Sequence, residues 1–181
     1  YAPRTKYCEV ILDNEYIGVY VLIEKIKRDN NRVDISKLSP NDTTGDNLTG
    51  GYILKIDRWE GAGWTSEYVP NVYFEYEYPD DDEIVPMQKS YIQSFINTFE
   101  DSLFNLSTLN NTALINTIDF ESFIDYIILN ELSKNADGYR LSTYLYKNKD
   151  SNDGRINMGP IWDYDLAFGN YCEFFAYLTE N

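Results

Sequence analysis

Residues 72–78, VYFEYEY, alternate aromatic or β-branched side chains with glutamates, whereas residues 87–104 space Ile92, Phe95, Ile96, Phe99 and Leu103 at helical intervals. A period of two lines one face of a half-buried strand, and a period near 3.6 lines one stripe of a helix. The change of period near residue 80 therefore commits the chain to both kinds of element. Before it, YCEVIL (7–12) and YIGVYVLIEK (16–25) flank Asp13-Asn14-Glu15 and predict a hairpin with a turn-prone centre. YILKID (52–57) predicts another strand. Between them, KRDNNRVDISKL reads as polar with a short helical or turn-like end, and PNDTTGDNLTGG as a loop.

After residue 80, PDDDEIVP supplies acidic residues and a proline, which suit the start of the helix over 87–104. A second helix is expected from Asp119 as N-cap, with Phe120, Phe123, Ile124, Ile127 and Ile128 as its buried stripe. TYLYK then predicts a strand, Asp153-Gly154 a turn, and RINMGPIWDYD a closing strand. Strands first, helices in the middle and a small hairpin last give an α+β chain of one domain.

Composition narrows the chemistry. Thirty Asp plus Glu against 15 Lys plus Arg leave a formal net charge of -15, which argues against a nucleic-acid partner. Histidine is absent, so His-based triads and His-ligated zinc are excluded. No apolar run approaches the ~18 residues of a membrane span. The opening YAPRTKYCEVIL reads as the interior of a domain, so a piece of a longer protein is expected. Cys8 and Cys172 would either close a disulfide or remain buried thiols. Four Asn-x-Ser/Thr sequons begin at Asn41, Asn47, Asn105 and Asn110. The 17 tyrosines are dispersed and are read as strand formers. Trp59 and Trp64, in RWEGAGW, are read as substrate contacts or covers of a core edge.

The segment GPIWDYDLAFGN, residues 159–170, sets Asp163 and Asp165 in an aromatic run. Were it extended, both carboxylates would share one face about 7 Å apart, with Trp162 and Tyr164 opposite. Their repulsion would be relieved by a divalent cation, or equally by exposure to water. Upstream, Asp137 follows the second helix and precedes the hairpin. Phosphoryl transfer needs one carboxylate to orient an attacking hydroxyl and another to hold the metal, and the spacing of Asp137 and Asp163 suits that arrangement. Ser142, five residues after Asp137, stands where a kinase catalytic loop carries a metal-binding Asn.

NADGYRLSTYLYKN followed by GPIWDYDLAFGN, preceded by VILDNEYIGVYVLIEKIKRD and GGYILKIDR, resembles the CotH (spore-coat protein H) kinase-like family over about residues 5–172. The resemblance implies an atypical protein-kinase-like fold in a truncated domain: a lobe-like sheet over about 1–80 and a helical catalytic part over about 81–181. It also implies use of ATP with Mg²⁺ or Mn²⁺, and a protein substrate phosphorylated on Ser or Thr. The implied setting is extracellular, at a cell surface or in a spore coat, within a surface or cell-wall assembly.

By the same resemblance, Asp137 would orient the substrate hydroxyl, and Asp163, with Asp165 as the second carboxylate, would hold the metal. Ser142 would be a weaker ligand than Asn. Lys55, with Lys25 as its rival, would contact phosphate, and Glu24 would orient the lysine or line the nucleotide pocket. Lys55 could instead pair with Asp57 or Glu24 across the sheet. Gly18 would stand in for a glycine-rich loop that otherwise lacks its glycines. Two other readings accompany this one: a non-catalytic pseudokinase or carbohydrate-associated surface module, and, last, a two-carboxylate glycosidase.

Overall fold

Asp13 and Asn14 set the first turn of the chain, at φ 49° and 67°. Asp and Asn tolerate this left-handed region, which matches the twist of a two-residue hairpin. The turn joins β1 (Thr5–Leu12) to β2 (Glu15–Ile23) in an antiparallel two-stranded ribbon. Gly18, at φ 129°, pairs with Val10 where the register shifts between Val10 and Ile11. A bulge there asks for a residue without a Cβ. Tyr7, Ile11, Val19 and Leu22 of the ribbon are exposed.

The structure is a computed structural model that describes residues 1–105 and 112–171. Its main sheet has the order β4 (Gly63–Thr65), β5 (Tyr73–Tyr78), β3 (Tyr52–Ile56), β6 (Thr143–Lys147) and β7 (Ile156–Met158). Every neighbouring pair is antiparallel. Three helices follow the first three of these strands: α1 (Pro86–Phe104), α2 (Thr112–Thr117) and α3 (Phe120–Ser133). The fold is therefore mixed α+β. Among the described residues, no helix is long and apolar enough to cross a membrane.

Alternation in the strands gives the main sheet two working faces. Tyr52, Leu54, Phe74 and Leu145 join Ile92, Ile96 and Phe99 of α1 in the larger core. Ile53 and Tyr144 point the other way, into a smaller core with Ile26, Val33 and Ile35, against which Trp162 packs. Gln88 holds the loop before β3 onto α1, its Nε2 donating to Ser39 O at 2.7 Å and Asp42 O at 3.1 Å. Lys147, 1 % exposed, donates to Thr49 O at 2.6 Å and Asp150 Oδ1 at 2.7 Å, with its Nζ 4.5 Å from the centre of the Phe95 ring. A buried ammonium needs such partners to offset its lost hydration.

Four expectations are corrected. Segment 27–38 is not merely polar: an Arg28–Val33 bridge lets Val33, Ile35 and Leu38 reach the core. RWEGAGW is not all loop, because Gly63–Thr65 adds β4 to the sheet edge and buries Trp64, while Trp59 stays exposed and stacks on Tyr73 at 4.3 Å. The closing strand ends at Met158. Gly159 takes φ 110°, Pro160 offers no N–H to a ladder, and Asp163 takes φ 56°, so 159–165 is not extended and the shared-face geometry does not hold.

The fourth correction concerns α3. Asp119 does cap it, its Oδ2 accepting from Ser122 N at 3.2 Å. However, Phe120, Ile124, Ile127 and Ile128 are exposed, and of the expected stripe only Phe123 packs against the core. Tyr126, Asn130 and Ser133 face inward instead. Tyr126 Oη bonds Thr143 Oγ1 at 3.0 Å, and Asn130 Nδ2 donates to Tyr126 O at 2.9 Å, so polar partners orient this helix. Replacing Ile92, which is 0 % exposed, by alanine should cost about 2–5 kcal/mol in urea unfolding. Ile124→Ala, at a side chain 52 % exposed, should change stability by less than about 0.5 kcal/mol.

Candidate active site

The sheet face opposite α1 collects the charged residues. Antiparallel register sets Lys55 of β3 beside Glu75 of β5 on one side and Tyr144 of β6 on the other. Lys55 Nζ lies 3.1 Å from Glu75 Oε2, and only 4 % of the Glu75 side chain is exposed. Glu75 Oε1 accepts from Glu60 N at 3.0 Å, which fixes the carboxylate on both sides. The hydrogen-bonded partner of Lys55 is therefore Glu75, rather than Asp57 or Glu24. Burial pulls the Lys55 pKa down, but the bond and charge of Glu75, with Asp57 and Glu77, raise it overall, so the ammonium stays charged. Burial also raises the Glu77 pKa, against the pull of Lys55 and Lys25. Lys25 thus reaches the field of this face.

Asp163 belongs to the same neighbourhood. Asp163 is exposed, yet partial loss of hydration raises its pKa, and so do the charges of Asp165, Asp137 and Asp57. Asp163 also lines a cavity of about 140 Å³ with Ile23, Ile161, Trp162 and Tyr164. Asp165 is exposed, and its backbone carbonyl accepts from Asn170 Nδ2 at 2.6 Å. The end of α3 draws these segments together. Phe168 N donates to Ser133 O at 2.6 Å, and Lys134 closes the helix at φ 49°. Gly138 then passes so close that a Cβ would sit 2.4 Å from Asn130 Oδ1. A side chain there would push the Asn130 amide aside.

Asp137, next in line, accepts from Arg140 Nη2 through Oδ1 at 2.7 Å. Its backbone carbonyl accepts from Leu141 N at 3.1 Å. Ser142 follows at φ 50°, and Tyr139, Asp163 and Phe168 are also non-glycine residues at positive φ. Such backbone outliers gather where a structure holds groups for function. Glu24 is elsewhere: it accepts from Arg4 Nη2 at 2.6 Å, Arg4 N at 2.9 Å and Tyr1 Oη at 3.1 Å. Gly18 lies within β2 of the ribbon.

The structure thus brings Asp137, Asp163 and Asp165 into one electrostatic neighbourhood, with Lys55, Asp57 and Glu75 nearby across the sheet. Among the described residues, no three His, Cys, Asp or Glu side chains form a complete metal cage. Mg²⁺ keeps waters and takes phosphate oxygens as further ligands, so one or two of these carboxylates would be enough to hold it. Sequence reasoning missed Glu75. Its alternation with Phe74 and Tyr76 marked it as facing away from them, but the register that sets it against Lys55 is a tertiary fact. Cys172, and with it the question of its pairing with Cys8, lies outside the described residues, as does Asn110.

A family model described as CotH kinase protein matches residues 1–181, the whole chain. No curated protein matches it.

Hydrogen bonds from Arg4 and Tyr1 hold the Glu24 carboxyl down to about 2, from an ordinary value of 4.5. A carboxyl depressed on folding adds stability above its unfolded pKa and loses it as pH falls through the folded one. Wild type should therefore melt above Glu24→Gln at pH 6, and the gap should close between pH 4.5 and 2 in a pH series of thermal melts.

Proposed function

Because the chain belongs to the CotH kinase protein family, we propose that it is a phosphotransferase moving the γ-phosphoryl group of ATP to a Ser or Thr hydroxyl of a secreted, cell-surface or spore-coat protein. The observation that carries this reading is the gathering of Asp163 with Asp165, Asp137 and Asp57, whose charges act on it and raise its pKa along with partial loss of hydration, near the face that holds Lys55. Both Asp163 and Asp165 are exposed, so water screens their repulsion, and a cation held by the two would gain from both charges. Asp163 and Asp165 would hold Mg²⁺ or Mn²⁺, which supplies neutralisation of charge on the phosphates.

Lys55 suits a phosphate contact, because Glu75 keeps it charged and fixes its position. Lys25 would be a second cation, since its charge also acts on Glu77. Asp137 would accept a hydrogen bond from the substrate hydroxyl and take its proton as the new bond forms. Arg140 would then have to share or release Asp137 Oδ1. Trp162, packed against the smaller core, covers one side of this region and limits water there.

A second reading, a non-catalytic binding module, is favoured by two observations. Asp137 is already paired with Arg140, and Ser142 stands where an Asn ligand is expected. The two readings part on metal–nucleotide binding. A ligand that binds only the folded state at 100 times its Kd should stabilise it by about 2.7 kcal/mol.

Calorimetric titration of ATP with Mg²⁺ or Mn²⁺ should show binding to wild type that is lost in Asp163→Asn while the melting transition stays cooperative. Wild type that binds no nucleotide with either metal would overturn the kinase reading. Lys55→Met should weaken the same binding at least tenfold, and equal affinity would remove Lys55 from the site.

A further inference from the structure

At the base of the β1–β2 ribbon, Arg4, Lys6, Lys25 and Arg32 line a cavity of about 340 Å³ with a single carboxylate, Glu24. Four cations around one cavity run against the composition of a chain whose net charge is -15. Glu24 does not balance them. Its Oε1 accepts from Arg4 Nε at 3.0 Å and Arg4 Nη2 at 2.6 Å, and its Oε2 from Arg4 N at 2.9 Å and Tyr1 Oη at 3.1 Å. Both oxygens are thus spent on Arg4 and Tyr1.

Arg32 is left with charge contacts alone. Its Nη2 lies 3.8 Å from Glu24 Oε1 and its Nη1 3.9 Å from Asp29 Oδ2, both too long for hydrogen bonds. Its Nε is buried and has no hydrogen-bond partner among the described residues. A guanidinium in this state gains from any acceptor that can meet its fork. Lys6 and Lys25 form no ion pair among the described residues. Three cations with unspent donors therefore face one cavity.

The charge and donor count select the ligand. One carboxylate is consumed by one arginine here, as Glu24 shows, and would leave the other cations unmatched. A phosphate monoester carries close to two negative charges and three strong acceptor oxygens, which suits an arginine fork and two ammonium groups. We propose that this cavity binds a phosphate monoester dianion through Arg32, Lys6 and Lys25. The cavity shares Ile23 with the one that Asp163 lines, so the two regions adjoin. It would take a phosphate whether or not the Lys55 face transfers one. The phosphate comes from a phosphorylated Ser or Thr of a protein.

The test is calorimetry at low ionic strength with EDTA present, using a phosphoserine peptide, its unphosphorylated form and ATP. Each is titrated into wild type, Arg32→Ala, Lys6→Ala and Asp163→Asn. The expected result is binding of the phosphoserine peptide, no binding of its unphosphorylated form, at least tenfold weakening in Arg32→Ala and in Lys6→Ala, and full retention in Asp163→Asn. Lys6 is exposed on β1, so its variant remains informative even if Arg32→Ala unfolds. If ATP alone shows this pattern, the cavity belongs to the nucleotide site proposed above and the phosphate-monoester proposal is overturned. Affinity that neither variant weakens, equal binding of the unphosphorylated peptide, equal loss in Asp163→Asn, or binding of neither phosphate-bearing ligand would overturn the proposal. Loss of metal–ATP binding in Asp163→Asn with phosphopeptide binding intact separates this site from the proposed transfer site.

Discussion

The pairing of β3 with β6 is the contact on which the remaining geometry depends. Tyr52 sits opposite Lys147 and Ile56 opposite Thr143, so two segments far apart in the chain become neighbours in one sheet. Closing so long a loop costs entropy that grows only slowly with its length. The buried side chains of both faces offset it, with Leu54 and Leu145 on one side and Ile53 and Tyr144 on the other. The same pairing places Lys147 where Thr49, Asp150 and the Phe95 ring can hold its charge. It also sets Tyr144 next to Lys55, so segment 159–165 leaves the sheet close to the charged face.

That face is built from opposed charges of unequal number. Lys55 has one close carboxylate, Glu75, and two more within its field, Asp57 and Glu77. Asp163 has three acidic neighbours, and none of the cations acts on it strongly enough to lower its pKa. The imbalance is local, because four cations, Arg4, Lys6, Lys25 and Arg32, line the cavity at the ribbon base. A negative region beside a positive one, on a chain that is acidic overall, is suited to ligands that bring both a metal ion and phosphate.

Much of the fold was legible from local chemistry. The Asp13–Asn14 turn, the strands YILKI, YFEYEY and TYLYK, the helix from Pro86 and the cap at Asp119 all follow from propensity, period and turn residues within a few positions of each other. The inward face of α3 did not, because two stripes competed and the apolar one lost. Tyr126, Asn130 and Ser133 turned inward to partners supplied by Thr143 and the chain after Lys134. The short strand β4 was equally hidden, since three residues show no period and it exists only by pairing with β5.

For the site, the sequence alone determined which groups were available: Asp137, Asp163 and Asp165 as carboxylates, Lys55 and Lys25 as cations, and no histidine to compete. Chemistry of that kind is a property of side chains and needs no fold to read. The tertiary structure decided who meets whom. It gave Lys55 to Glu75 through sheet register, gave Glu24 to Arg4 at the ribbon base, and turned Asp163 out of an extended path at φ 56°. Register, burial and backbone handedness at a single residue depend on packing between distant segments, and local sequence carries no record of those distances.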